Sequence, residues 1–248
     1  MSQWKDFVAL VTGANKGLGL EIARQLGKLG IRVVIGSRDL ARGEQAAAKL
    51  KDEGIDARAV QLDVTSSDDI AALPAFFQNN YGRLDILVNN AGINVESESW
   101  RGSTAGNISS DSLRKTFDSN FFGAVAITQA LLPLISASPA GRIVNHSSIL
   151  GSLTLQADPK SPIYDTKPFG YDASKAALNA FTVHLAAELK PTKVKVNSAH
   201  PGWVKTDLGT DAAPMETPEG AQTAVTLATL PENGPTGGFF HAGNRLPW

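Results

Sequence analysis

Tyr171 and Lys175 stand four positions apart in Tyr-Asp-Ala-Ser-Lys, inside a stretch from 171 to 189 with a helical pattern. That spacing puts a phenol and an ammonium on one helix face, one turn apart. A free phenol titrates near ~10 and holds its proton too tightly to serve as a base at neutral pH. A neighbouring ammonium favours the phenolate and is expected to lower that value. The pair can then give a proton to a developing alkoxide or take one from an alcohol. Taken alone, the spacing fits a solvated Tyr–Lys pair equally well, so its companions decide. Ser148 closes Asn145-His146-Ser147-Ser148, just past a strand-like run, where its hydroxyl can hold a substrate oxygen beside the phenol. Adjacent residues at a strand end point in opposite directions, and Ser148 rather than Ser147 is expected to face the substrate. Asn120, in Asp118-Ser119-Asn120-Phe121-Phe122, is poor helix material within an apolar helix. It is expected at a bend, holding a water that relays protons to the lysine.

A second group of residues suits a dinucleotide. Thr12-Gly13-Ala14-Asn15-Lys16-Gly17-Leu18-Gly19 joins a strand to a helix with its glycines in G-x-x-x-G-x-G spacing. A tight turn there needs a residue without Cβ, and a backbone amide must come close to a pyrophosphate. The helix N-terminus then adds free N–H groups and partial positive charge. A plain tight turn is the alternative, but the position between first strand and first helix favours the cradle. Gly13, Asn15, Lys16, Gly17, Leu18 and Gly19 are therefore expected to bind the cofactor. At the end of the second strand an acid would accept from a ribose 2′-hydroxyl; this chain has Gly36-Ser37-Arg38. Arg38 offers a fork suited to a 2′-phosphate, Ser37 adds a hydroxyl, and Lys16 can reach the same group. Together they point to NADP(H), although Asp39 follows directly and argues the other way.

The elements that must position these groups alternate. Strands are expected at 7–11, 31–35, 57–62, 84–88, 142–145, 194–198 and 238–241, and helices at 17–29, 40–51, from a cap at Ser66 or Ser67, from Ser110 or Asp111 to 135, and at 171–189. Repeated β-α-β units mean a doubly wound parallel sheet, three layers deep, in one domain over 1–248. Loops at 94–107, 152–170 and 208–217 fall at the strand ends where such folds bind ligands. They are expected to shape the substrate pocket.

The 248 residues are 42% hydrophobic, enough for a large core. With a net charge of −1 and no basic run, no nucleic-acid or membrane partner is expected. The absence of cysteine excludes disulfides, thiolate catalysis and cysteine metal sites, and fits a cytoplasmic protein. His146, His184, His200 and His241 show no metal-ligand spacing and are read as structural, so no metal is expected. Met1–Lys5 carries no sign of a signal peptide, and no apolar run approaches the ~20 residues of a membrane span.

In order along the whole chain, Thr12-Gly13-x-x-x-Gly17-x-Gly19, Asp63, Asn89-Asn90-Ala91-Gly92, Asn120, Ser148, Tyr171-x-x-x-Lys175 and Pro201-Gly202 resemble the short-chain dehydrogenase/reductase family. The resemblance implies a Rossmann-type fold and hydride transfer between NADP(H) and a ketone, aldehyde or secondary alcohol. It makes Tyr171 the acid/base and Lys175 also a ligand of the nicotinamide ribose, with Ser148 positioning substrate and Asn120 holding a water. Asn90, Ala91 and Gly92 would line the adenosine side, Asp63 and Val64 would flank the adenine, and Val204 and Thr206, after Pro201-Gly202, would face the nicotinamide amide. Asn15-Lys16-Gly17, Ser37-Arg38-Asp39 and the C-terminal Gly-Phe-Phe…Leu-Pro-Trp resemble the carbonyl-reductase branch. The 23 positions from Ser148 to Tyr171 are more than many members have. Tyr164 lies in the extra stretch, but Pro168 stands four residues on, so Tyr164 is rejected as the acid/base. Two alternatives remain: a sugar-nucleotide epimerase or dehydratase, and a catalytically silent NAD(P)-binding regulator, which would lack part of the tetrad. A homo-oligomer is expected, with a monomer as the alternative.

Overall fold

Short apolar runs rich in Val, Ile and Leu have no polar face to show water, so they form strands covered on both sides. The structure is a computed structural model, described over residues 4–95 and 103–248. Among the described residues the elements run β1 (Val8–Thr12), α1 (Gly17–Lys28), β2 (Arg32–Ser37), α2 (Leu40–Asp52), β3 (Ala57–Gln61), α3 (Ser67–Tyr81), β4 (Ile86–Asn89), α4 (Ser110–Phe117) and α5 (Gly123–Ser136). They continue with β5 (Arg142–His146), α6 (Leu153–Ala157), α7 (Phe169–Glu188), β6 (Lys195–Ala199), α8 (Thr217–Ala228), β7 (Phe239–His241) and β8 (Asn244–Arg245). One sheet holds the strands in the order β3-β2-β1-β4-β5-β6-β7-β8. All pairings are parallel except β7 with β8.

Alternation along the strands divides the core in two. Ala9 and Val11 pack with Ile22 and Leu26 of α1, Leu50 of α2 and Leu227 of α8. Val8 and Leu10 pack on the other face with Leu73 and Phe77 of α3, Leu131 of α5 and Leu185 of α7. This is the expected three-layer, doubly wound architecture. The strand order reverses between β1 and β4, which opens a crevice at their carboxyl ends.

Several local expectations change. Ser109, not Ser110 or Asp111, caps α4, its hydroxyl accepting from the Ser112 N–H at 3.1 Å. The segment 152–170 is not all loop: Ser152 caps the short α6. α8 and β8 had no sequence signal; the buried face of α8 has Gly220, Ala221, Ala224 and Ala228 beside Thr223 and Leu227, side chains mostly too small to mark a hydrophobic period. Of the expected loop 94–107, residues 96–102 lie outside the described residues. The helical stretch Ser110–Ser136 is long and apolar enough, by length and composition, to cross a membrane, contrary to the expectation that no segment comes close. Within it, Ile127, Leu131 and Ile135 are fully covered beside the strands.

Candidate active site

Ser148 lies two residues past β5 and caps a 3₁₀ turn, Ile149–Gly151, its hydroxyl accepting from the Leu150 N–H at 3.2 Å. That turn presses directly on α7: a Cβ at Gly151 would lie 2.7 Å from the Lys175 carbonyl carbon. The contact brings Ser148 within hydrogen-bond range of the Tyr171 phenol, on the first turn of α7. One turn on, Lys175 is buried; its ammonium donates to the His146 carbonyl at 2.7 Å and lies 5.6 Å from the Tyr171 ring centroid. Ser147 is buried beside Ser148, and its hydroxyl has no hydrogen-bond partner among the described residues. Tyr164 lies apart, half-exposed, with the Lys167 ammonium over its ring.

The electrostatics correct one expectation. Tyr171 is raised above the usual phenol range, first by burial and then by the nearby Asp172 charge, with the Ser148 hydrogen bond opposing. Burial also pulls Lys175 down, to about 8. One-turn spacing therefore does not yield a phenolate here: the loss of water around the ring outweighs the lysine, whose ammonium is held by the His146 carbonyl.

Asn120 sits in a π-helical turn, Asp118–Phe122, where the Gly123 N–H reaches five residues back to the Asp118 carbonyl. The bend expected from sequence is this widened turn. The Asn120 side chain accepts from the Ile93 N–H at 2.8 Å and donates to the Ile93 carbonyl at 2.9 Å and to Ser174 Oγ at 3.0 Å. Its amide thus braces the strand-β4 exit against α7. A Cβ at Gly92 would lie 3.2 Å from Asn120 Oδ1 and 3.5 Å from Lys175 Nζ, so the two side chains converge over that glycine.

Ser148, Tyr171 and Lys175 face a cleft of ≈ 870 Å³ that the glycine loop also lines, with Asn120 buried behind its wall. Gly13 has φ +64°, and a Cβ on it would lie 3.0 Å from Ala91 Cα. At Gly19, a Cβ would come within 2.5 Å of Asn90 Nδ2 and 2.7 Å of the Gly13 carbonyl oxygen. The first turn of α1 has no side-chain cap at Lys16, leaving its N–H groups to a ligand. Asn90 ties the strand ends together, donating to the Thr12 carbonyl at 2.8 Å and accepting from His146 Nδ1 at 3.0 Å. Burial drops His146 and His200 to about 3, so both rings are neutral. Asn15, Leu18, Asp63, Val64, Ala91, Pro201, Gly202, Val204 and Thr206 line the same cleft. Hydrogen bonds from the Thr65 N–H and hydroxyl, with help from Arg38, hold Asp63 below the usual carboxylate range.

The residues at the end of β2 divide. Arg38 lines the cleft, exposed, with no ion pair among the described residues. Asp39 is spent as the cap of α2, accepting from the Arg42 N–H at 3.1 Å and pairing with its guanidinium. Ser37 departs from expectation: it is buried, its hydroxyl donates to the Asp39 carbonyl at 2.6 Å, and it does not line the cleft. Lys16 lines the cleft but is paired with Asp207 across it.

An apolar wall of the cleft is made by Pro162, Ile163 and Leu208, from loops expected to shape the pocket, and by Ile149, Leu150 and Trp203, which the sequence did not single out. Those positions follow no period and are joined only by the fold. Ile93 and Ser174, which hold Asn120, were missed for the same reason.

Residues 7–217 match the family described as short chain dehydrogenase. Carbonyl reductase [NADPH] 1 of Mus musculus is 36% identical over 279 aligned residues, covering 97% of this chain and 98% of its own length. (−)-Isopiperitenone reductase of Mentha piperita is 34% identical over 300, covering 94% and 95%. Among solved structures, the NADPH-bound carbonyl reductase from chicken fatty liver is similar with a TM-score of 0.83 and 26% identity, over 98% of this chain and all of that one.

Proposed function

The chain belongs to the short chain dehydrogenase family, and on that premise we propose that it is an NADPH-dependent oxidoreductase of the carbonyl-reductase kind, working as one domain over residues 1–248. The observation that carries the reading is that Ser148, the Tyr171 phenol and buried Lys175 stand together on the cleft that the glycine loop lines.

The residues fit a dinucleotide phosphate. Gly13 and Gly19 leave room where a Cβ would collide, the α1 N-terminus has no side-chain cap, and Arg38 has no ion pair among the described residues while Asp39 is engaged elsewhere. Arg38, with Lys16 once released from Asp207, would hold the 2′-phosphate. Lys175 would bind the nicotinamide ribose, and Val204 and Thr206 would face the amide. NADPH, when bound, supplies the hydride.

A carbonyl oxygen seated between Ser148 and Tyr171 receives a hydrogen bond from each. As negative charge grows on that oxygen, the Tyr171 proton moves to it. Burial keeps Tyr171 in its acid form, which is the form that reduction needs. The Lys175 ammonium, charged below about pH 8, stabilises the phenolate left behind. Asn120 keeps the Ile93 segment and α7 in register around this exchange. The wall beside Tyr171 offers apolar side chains and, among its described residues, no charge. An uncharged, mainly apolar ketone or aldehyde is the substrate class that suits it.

The test follows NADPH consumption against a panel of such compounds, with Tyr171→Phe as the variant. Tyr171→Phe keeps the ring and removes the proton carrier, so turnover should fall ~10²–10⁴-fold while NADPH still binds. Near-normal turnover in that variant would end the mechanism.

A further inference from the structure

We propose that Gln156 is a positioning residue that clasps the inserted segment, 152–168, onto the first turn of α7 and so sets the substrate wall beside Tyr171. What enters the pocket rests on the function proposed above; the clasp itself does not.

The Gln156 side chain meets three separate parts of the chain. Its Nε2 donates to Asp172 Oδ2 at 2.9 Å, to the Leu150 carbonyl at 3.2 Å and to the Thr166 carbonyl at 3.3 Å. Leu150 is two residues past Ser148, and Asp172 directly follows Tyr171. Thr166 lines the cleft with Pro162 and Ile163. One amide thus joins the turn that carries Ser148, the helix that carries Tyr171 and the wall between them.

Its orientation is set by charge. Gln156 Oε1 accepts from the Lys167 ammonium at 2.6 Å, and the Gln156 backbone carbonyl accepts from the same group. Turning the amide over would put oxygen against the Asp172 carboxylate and NH₂ against the ammonium, and both contacts would repel.

Little else of this polar kind fastens the segment. Among the described residues, the other hydrogen bonds of 153–167 are local, such as Ser161 N–H to the Asp158 carbonyl and Thr166 N–H to the Ile163 carbonyl. The exception is the Thr154 N–H, which donates to the Trp248 carbonyl at 2.9 Å and ties the far end of α6 to the C-terminal residue. Without Gln156, the stretch bearing Pro162, Ile163 and Thr166 keeps its own turns and loses this polar link to the catalytic helix.

The experiment compares wild type with Gln156→Leu and Gln156→Glu. Gln156→Leu removes donor and acceptor; Gln156→Glu keeps the shape and the Lys167 contact but turns an acceptor toward Asp172. Hydrogen exchange over 152–168, NADPH affinity, and KM and kcat for one compact and one bulky apolar ketone are measured in each. Both variants should speed exchange in the segment and raise KM for the bulky ketone about tenfold, equivalent to ~1.4 kcal/mol. kcat for the compact ketone and NADPH affinity should stay near wild type. Unchanged exchange would overturn the clasp. A uniform loss in KM, kcat, cofactor affinity and melting temperature would reduce Gln156 to general packing and overturn its role in positioning. A wild type that reduces no carbonyl compound would sink the proposed function, while the exchange data would still decide the clasp.

Discussion

Lys175 is the residue whose environment reaches furthest into function. It has lost its water and gained one carbonyl, that of His146, and burial alone accounts for the fall to about 8. The sign of its linkage follows. The unfolded chain carries this lysine near 10.5 and the folded chain near 8. Between those values the unfolded state binds more protons, so the lysine's contribution to stability rises with pH; below 8 its burial penalty is present in full. Activity should move the other way. In the proposed mechanism Lys175 must be charged, so kcat/KM for NADPH, which reports groups of the free enzyme, should turn down above about pH 8. Over the same range the stability of wild type should climb relative to Lys175→Met. Alkaline unfolding would lower both together, so opposite trends single out this lysine, and a profile flat to pH 10 would refute the assignment. The one-turn pairing of Tyr171 with Lys175 was legible in sequence because spacing survives translation into a helix. The electrostatic outcome was not, because spacing carries no information about burial.

At the scale of elements, close approach does the positioning. α1 lies against the strand-β4 exit because Gly19 has no Cβ, and the same closeness presents its uncapped N–H groups to the cleft. Gly19→Ala should push α1 off Asn90 and the Gly13 carbonyl. NADPH affinity should drop tenfold or more, about 1.4 kcal/mol, while helix propensity alone would favour alanine by ~1 kcal/mol. Titration of NADPH fluorescence checks it; unaltered affinity would mean that α1 is free to shift. The strands and most helices could be read from their periods, and Asn120 announced the π-helical turn by being out of character. Elements whose burial rests on alanine, such as α8, gave no such signal. The buried polar ladder beneath the site was also invisible. Asn89 donates to Asn145 at 2.9 Å, Asn145 to Thr182 at 2.8 Å, and Thr182 shares a hydrogen bond with Ser198 at 2.8 Å. Asn89, Asn145 and Ser198 are partners only once β4, β5 and β6 are in register.

For the whole molecule, the cleft is a property of topology. Its lining comes from Gly13 at one end of the chain to Gly209 near the other, gathered where the sheet order reverses between β1 and β4. Lys16 and Asp207, 191 positions apart, pair across it. A ligand that touches all these segments binds the folded chain and not the unfolded one, so it must raise global stability. At a hundred times its dissociation constant, the gain is roughly 2.7 kcal/mol. For a chain of this length each kcal/mol moves the melting temperature by about 2–4 °C, so NADPH should raise it by roughly 5–10 °C. NADH at the same concentration should give much less, because Arg38 meets a hydroxyl instead of a phosphate. Charge-assisted hydrogen bonds contribute about 1.5–3 kcal/mol each, discounted here for the exposure of Arg38 to solvent. Arg38→Asp should therefore bring the two shifts together or reverse them without altering the melting temperature of the free protein by more than ~0.5 kcal/mol equivalent, as expected of a surface change. Equal shifts by NADPH and NADH in wild type would mean that Arg38 does not read the 2′-phosphate, and would reopen the assignment of NADPH over NADH.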